Sequence, residues 1–446
     1  MKNKWILVIA VCITQLAFAQ DKNASLDSAV SRFTAMQRFN GAVLVVKNGN
    51  ILLEKGYGYQ NAAGKILNTH QTIFQIGSIT KQFTAAVILK LVEENKLSLS
   101  DKLSKFFPGF PKGDSITVHH LLPHTSGITN YTNDAEFMKN EITKPAGREK
   151  MMALFKDKPL DFSPGSSWKY SNSGYSMLGY VVEAVTKNSW EAAVRKYIFT
   201  PLKMTHSGFD FAGLKNEHRA TGYLSLKDTE ADVAPVVDST VSSAAGSIYS
   251  SIGDLNLWHR ALQQNTVLSA AQQELAYTAY KNKYGYGWGI DSLNGKRRLR
   301  HTGGIPGFIT VISRIPEDDV CIVLLSNATD ESLNDINKAL FAILYDQPYE
   351  LPKQRLAIAL DAGKLKEYEG EYELKKGFTV VMTATEKGLV ALPTGQTPKN
   401  IYPEKEDHFF DQKDDVQVIF TRNDVNQVDG FVLHQAGAKI PAKKIK

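Results

Sequence analysis

Ser78 and Lys81 stand three residues apart in Ser78-Ile79-Thr80-Lys81, where an extended segment, Thr72 to Gly77, gives way to an apolar-periodic run. On a helix, positions i and i+3 share a face, so a hydroxyl and an amine point at one spot and a nucleophile lies beside a base. Phe83, Val87, Ile88, Leu91 and Val92 form a single stripe at helical spacing, which puts Ser78 at the helix N-terminus. There the free N–H groups and partial positive charge of the first turn favour a developing oxyanion. Hydroxyl, amine and anion-stabilising backbone together are the parts of an acyl-transfer site. A plain N-cap is the competing role for Ser78. The same spacing recurs at Ser166-Ser167-Trp168-Lys169, but Pro164-Gly165 before it is a turn signal and no long amphipathic helix starts there, so Ser78 is the stronger candidate.

Tyr170-Ser171-Asn172 supplies a phenol and an amide. Tyr-x-Asn also occurs at Tyr59, Tyr131 and Tyr280, so its neighbours decide its meaning. The run Phe162 to Tyr175, Phe-Ser-Pro-Gly-Ser-Ser-Trp-Lys-Tyr-Ser-Asn-Ser-Gly-Tyr, resembles the corresponding stretch of the serine hydrolases that include class C beta-lactamases and D-alanyl-D-alanine carboxypeptidases. Further on, His301-Thr302-Gly303-Gly304 follows a strand, where that family carries Lys-Thr-Gly or His-x-Gly. The resemblance runs from about Gly41 to Leu344 and includes Thr117 to Ile128, Tyr197 to Met204 and Ser243 to Leu262.

This resemblance implies Ser78 as nucleophile and Lys81 as a desolvated, neutral amine that helps take its proton. It implies Tyr170 as proton relay to the leaving group, with Asn172 holding Lys81 and donating to the substrate. Which of Lys81 and Tyr170 is the working base stays open. The N–H groups of Ser78 and Gly304 would form the oxyanion hole, with His301, Thr302 and Gly303 along the substrate. His301 is a departure: a Lys there gives a permanent charge for a substrate carboxylate, whereas a His does so only when protonated, around pH 6.5 or below. That favours the esterase, D-aminopeptidase and peptidase-like branches over efficient beta-lactamase action. His206-Ser207-Gly208 also fits His-x-Gly but follows the helix-end run Pro201 to Met204 and reads as structural.

The elements that must position these residues read as sheet, helices, sheet. Leu26, Val30 and Phe33 mark a short helix, and Ala42 to Val46 and Ile51 to Glu54 flank the hairpin signal Lys47-Asn48-Gly49-Asn50. Residues from about 80 to 260 are mostly helical in pattern, including Tyr175, Leu178, Val182 and Val185, and a helix capped by Ser251. Strands return at Tyr284 to Ile290, Lys296 to His301, Phe308 to Ile315 and Val320 to Ser326. The fold class is α+β: an antiparallel sheet flanked by helices with a helical subdomain, of the beta-lactamase and transpeptidase type by resemblance. That hydrolase domain spans residues 20–346, followed by a linker over 347–360. Short alternating strands over 361–446, among them Glu371 to Leu374, Phe378 to Thr383, Val416 to Thr421 and Gly430 to Leu433, predict a small antiparallel β-barrel. It looks like the lipocalin-like barrel appended to many bacterial relatives.

The amino terminus reads as a signal peptide over residues 1–19: Lys2 and Lys4, an apolar run from Trp5 to Ile13, and Ala17-Phe18-Ala19 before the cut. An exported, periplasmic or secreted protein is expected, with no transmembrane segment after cleavage. Cys12 lies inside the apolar run and is not placed for lipid attachment, which leaves Cys321 alone in Val320 to Leu325, a buried small hydrophobe. The 446 residues carry a net charge of +6, or +4 without Lys2 and Lys4, and no dense basic run, so nucleic acid is not an expected partner. His119, His120 and His124 lack Cys or carboxylate at ligand spacing, so no metal and no cofactor is expected. Gly-x-Ser-x-Gly is missing, and Tyr284 to Gly289 alternates glycine at strand period, unlike a dinucleotide loop. The expected partner is a small-molecule or peptide substrate, and nothing in the chain sets an oligomeric state. The function this predicts is a serine hydrolase acting through a Ser78 acyl-enzyme on peptides, amides or esters. The alternatives are a penicillin-binding or sensing protein acylated without efficient turnover, and a true class C-like beta-lactamase.

Overall fold

The computed structural model describes residues 22–227, 230–329, 333–351, 355–411, 416–435 and 438–446, so the expected signal peptide and Cys12 lie outside the described residues. The chain divides into two units, one ending at Leu351 and one running from Pro352 to Lys446.

The first unit is built on six antiparallel strands. They are β1 (Gly41–Lys47), β2 (Asn50–Tyr57), β3 (Gly289–Leu293), β4 (Lys296–Ile305), β5 (Phe308–Ile315) and β6 (Val320–Ser326), in the order β2-β1-β6-β5-β4-β3. The two ends of the hydrolase sequence therefore share one sheet, as the sheet-helices-sheet pattern predicts. The central strands are apolar on both faces because both faces are covered. In β1, Ala42, Leu44 and Val46 join the core on the helical side, while Val43 and Val45 join a second core. In β6, Cys321, Val323 and Leu325 alternate in the same way with Val320, Ile322 and Leu324. The second core is closed by the helix over residues 22–35 and by Leu333–Leu344. Cys321 is fully buried, and burial pushes its thiol up to about 12, so it stays an inert thiol.

Two expectations change. The helix after Ser78, α1 (Thr80–Glu93), has no single apolar stripe: every residue from Thr80 to Leu89 is buried. It lies within the larger core, so Thr80, Gln82 and Thr84 must find partners inside the protein rather than in water. Tyr284 to Trp288 is not strand. Asn282 and Lys283 take φ +50 and +55 and Gly287 takes +75, left-handed angles that coil the segment into turns, and apart from isolated bridges at Tyr284 the continuous strand begins only at Gly289.

The second unit is a closed barrel of eight antiparallel strands, each paired to the next in sequence, from Gly370–Lys375 to Ala438–Lys444. Its interior is filled by Tyr368, Tyr372, Phe409, Phe420 and Phe431, whose neighbouring ring centroids lie 4.7 to 5.8 Å apart. Ile358 already belongs to this unit, its N–H donating to the Pro403 carbonyl.

Each unit has its own closed core. A protein truncated after Leu351 is therefore expected to unfold in one cooperative transition, followed by circular dichroism in urea; a broad, non-cooperative loss of signal would show that the first unit needs the barrel to fold.

Candidate active site

Close backbone packing builds the turn that carries Ser78. Gly77 takes φ +52, and a Cβ on it would stand 2.9 Å from the Gly304 amide nitrogen. A Cβ on Gly303 would come within 2.0 Å of the Ile76 carbonyl, to which Thr310 Oγ1 donates at 2.9 Å. The paired glycines let β4 run against the turn and bring the Gly304 N–H to the Ser78 side. That edge of β4 is open because β3 pairs only as far as Arg300. Gly303 thus has a packing role, while Thr302 and Gly304 are exposed.

Ser78 sits in a single 3₁₀ turn, Gly77–Ile79, ahead of α1. It does not cap: the residue at the N-cap of α1 is Ile79 and no side chain accepts there. Its hydroxyl meets Lys81 Nζ at 3.0 Å and is hydrogen-bonded to Tyr170.

Lys81 is fully buried, and desolvation holds its amine well below the usual lysine range. Nζ also lies 2.8 Å from Asn172 Oδ1 and 2.8 Å from the Ala245 carbonyl. Both are acceptors, so a neutral amine spends its two N–H groups on them and turns its lone pair toward the Ser78 hydroxyl. Asn172 opens the helix α2 (Asn172–Thr186), where Ser171 is the N-cap and accepts from the Gly174 N–H at 3.3 Å. The Asn172 N–H donates to Asn130 Oδ1 at 3.0 Å. The Ala245 carbonyl is free for Lys81 because Ser243 takes φ +35, ψ −136 inside Ser239–Gly246 and breaks that helix. Thr84 uses the neighbouring Ala244 carbonyl in the same way, at 2.7 Å.

Tyr170 is half-buried, and desolvation pushes its phenol well above its ordinary value, so the proton stays on. Lys81 Nζ stands 4.8 Å from its ring centroid. The fully buried His124 holds the Tyr170 segment from both sides. Its carbonyl accepts from the Lys169 N–H at 3.1 Å, its Nδ1 accepts from the Ser171 N–H at 3.2 Å, and its ring lies 4.2 Å from that of Tyr170. Protonating Nδ1 would break the bond from Ser171. Burial holds His124 neutral, and a proton on Lys81 or His301 would disfavour its charged form further.

His301 overturns one expectation. Nδ1 faces the Thr302 carbonyl at 2.6 Å and must donate to it, which leaves Nε2 to accept from the Tyr284 hydroxyl at 2.7 Å. Both ring nitrogens are occupied. Burial and the nearby Lys81 lower its pKa to about 3, so it is neutral at physiological pH and gives no charge to a substrate carboxylate.

The remaining sequence candidates lie elsewhere. Ser166 is exposed in a turn and donates to the Ser163 carbonyl, while Lys169 pairs with Asp161 at 2.7 Å. Ser207 donates to Asp254 Oδ2 in the core. His119 bonds the Tyr286 hydroxyl, and His120 accepts from the Thr117 N–H, so the two neighbouring histidines and His124 serve three separate local bonds. Two parts of the site went unseen in the sequence: the Ala245 carbonyl and the role of His124. A carbonyl carries no sequence signal, whereas His124 was visible inside the Thr117 to Ile128 run.

Gathered on one turn, one strand edge and one helix start, these groups define a serine-lysine-tyrosine arrangement around a buried lysine on an α+β scaffold. The Beta-lactamase family model matches residues 26–345, and the chain belongs to that family, with its general serine-hydrolase, acyl-enzyme chemistry. It is 29% identical to Penicillin-binding protein 4* of Bacillus subtilis, over 96% of this chain and 100% of the relative. Among solved structures it is similar to an octameric penicillin-binding protein homologue from Pyrococcus abyssi, with TM-score 0.68 and 26% identity over 94% of this chain and 99% of that one. A D-stereospecific amidohydrolase from Streptomyces sp. aligns with TM-score 0.61 and 25% identity over 73% and 98%.

His124→Phe keeps the ring but strands the buried Ser171 N–H. A loss of about 1–3 kcal/mol in urea unfolding is expected, with a fall in kcat larger than any rise in KM as Tyr170 loosens; an unchanged kcat would show that the clamp is purely structural. His301, at about 3 when folded and 6.5 when free, is protonated first in the unfolded chain. Its contribution to stability is complete above about pH 6.5 and is lost as pH falls toward 3, at about 1.4 kcal/mol per unit. His301→Gln should remove that share of the acid slope, measured by denaturation at stepped pH.

Proposed function

We propose that this chain is an exported serine hydrolase that forms an acyl-enzyme at Ser78 on peptide, amide or ester substrates, of the D-amino-acid peptidase, carboxypeptidase or esterase kind. The observation that carries this reading is the setting of Lys81: a dry amine whose two N–H groups are engaged by Asn172 and Ala245 and whose third partner is the Ser78 hydroxyl. In this reading Lys81 takes the Ser78 proton as Oγ attacks the carbonyl carbon. The N–H groups of Ser78 and Gly304 receive the oxyanion. Tyr170, still protonated, gives its proton to the departing nitrogen or oxygen, and the proton held by Lys81 restores it. Water then attacks the ester, and Ser78 regains its proton from the same pair.

A neutral His301 supports weak or no beta-lactamase action, since no permanent charge stands at that position for the carboxylate of a beta-lactam. The similarity to a D-stereospecific amidohydrolase supports amide substrates. Export rests on the composition of residues 1–19.

A fluorophosphonate should add one adduct to the mature protein, detected by intact mass, and Ser78→Ala should abolish it while Ser166→Ala leaves it. With p-nitrophenyl esters and D-amino-acid anilides, Ser78→Ala should lower kcat/KM by on the order of 10³-fold or more, and a chromogenic cephalosporin should turn over far more slowly than either. Stoichiometric labelling with no turnover of any of the three would point to the acylated, non-hydrolysing alternative.

A further inference from the structure

A cavity of about 440 Å³ opens beside the site, and its wall includes Tyr170, His301 and Thr302 but not Ser78, Lys81 or Asn172. Resting on the reading above, in which Tyr170 protonates the departing group, this cavity is where the leaving group lies. Its volume is that of a site for a ligand larger than one small residue. Trp168, Tyr170 and Tyr284 give it flat apolar walls, and His301 adds no charge.

The charge comes from elsewhere in the wall. Arg300 and Lys283 both line the cavity, and both are exposed. Lys283 is held in a left-handed turn, φ +55. The carboxylate in the wall, Asp291, is already occupied: Arg298 takes its two oxygens at 2.7 Å each, and Arg300 Nε lies 3.0 Å from Oδ2. Burial opposes ionisation of Asp291, but the hydrogen bonds and charge of Arg298 outweigh it, with Arg300 and Lys283 adding to the effect, so Asp291 is anionic. Arg298, outside the wall, balances Asp291, so Arg300 and Lys283 leave the wall of this aromatic cavity positive.

We propose that this cavity takes an acidic leaving group, an amino acid or short peptide carrying a side-chain carboxylate in addition to its terminal one, with Arg300 and Lys283 as the residues that select it. The reaction is the one already described: the Ser78 Oγ–carbon bond forms, the carbon–nitrogen bond breaks, the Ser78 proton goes to Lys81 and the Tyr170 proton to the departing amine. The two cations touch only the far end of that amine.

The test compares one acyl group joined to glutamate, glutamine or glutamine amide, in both enantiomers, so that the leaving group carries two, one or no negative charges. Hydrolysis of p-nitrophenyl acetate is measured alongside. The expected order of kcat/KM is glutamate, then glutamine, then the amide, each step roughly two- to fivefold, as for half-exposed ion pairs, and shrinking as salt rises. Arg300→Gln and Lys283→Gln should each flatten the order, by lowering the rates on the glutamate and glutamine substrates toward the rate on the uncharged amide. Free glutamate-ended peptides should inhibit ester hydrolysis more strongly than their amides, and less so in either variant. Equal rates for glutamate and glutamine, an order unchanged in both variants, or ester turnover with none of the three amides cleaved would overturn the proposal and leave the hydrolase reading standing. Failure of p-nitrophenyl acetate itself would instead remove the hydrolase reading, and this proposal with it.

Discussion

A lysine amine shut away from water is the constraint on which the rest of this site depends. The three polar partners of Lys81 are a hydroxyl, a side-chain amide and a backbone carbonyl, none of them charged. An ammonium buried among such groups costs several kcal/mol, whereas a neutral amine does not. The surroundings enforce that choice. Helix α1 is buried through nearly three turns, the break at Ser243 turns a carbonyl inward, and α2 starts at the one residue whose amide oxygen can reach Nζ. Strain at Ser243 is stored beside the group it serves, as expected where surrounding structure over-determines an unfavourable backbone angle.

Neutrality extends beyond Lys81. His124 and His301 share the same dry region, and each is driven toward its neutral form first by burial and then by the repulsion that a protonated Lys81 would exert. A proton on any one of the three raises the cost of a proton on the others, so they behave as a coupled group rather than as three separate bases. The hydrogen bonds enforce the same state. Nδ1 of His124 and Nε2 of His301 both act as acceptors, from Ser171 and Tyr284, and neither can do so when protonated. When Lys81 takes the Ser78 proton in the proposed mechanism, it meets no resident cation. The same two bonds fix the walls around Tyr170, so the protonation state of the histidines and the placing of the phenol are one property.

Much of this was legible in the residues. The serine and lysine at one helix turn and the sheet made of both chain ends follow from spacing and period, the tyrosine and asparagine come from the resemblance their neighbours carry, and the structure draws Ser78, Lys81, Tyr170 and Asn172 within reach of one another. What could not be read was of two kinds. Backbone groups such as the Ala245 carbonyl have no residue type to betray them, and the break that frees it occurs at a serine, which does not announce a left-handed angle as a glycine would. Burial was the other. A His at position 301 reads as a titrating cation from its type alone, and only its packing against Tyr284 and beside Lys81 shows that it is neutral. The stretch from Tyr284 to Trp288 misled for a related reason: alternating glycines imitate strand period, while the turn is set by Asn282 and Lys283 just before it.

Strand geometry then determines where charge can stand. Along β4, side chains alternate, so His301 and Gly303 face inward and are buried while Arg300, Thr302 and Gly304 face out. A lysine at 301 would place a permanent cation on the inner face beside Lys81 and raise the cost of every proton there. With a histidine that face carries no charge, and the cations of this region are displaced to the outer face and the neighbouring turn, at Arg300 and Lys283, where water screens them from the amine. The arrangement keeps attraction for an anion separate from the base that must stay neutral. In a site where one amine must be both buried and unprotonated, moving the fixed charge one residue along the strand meets both demands.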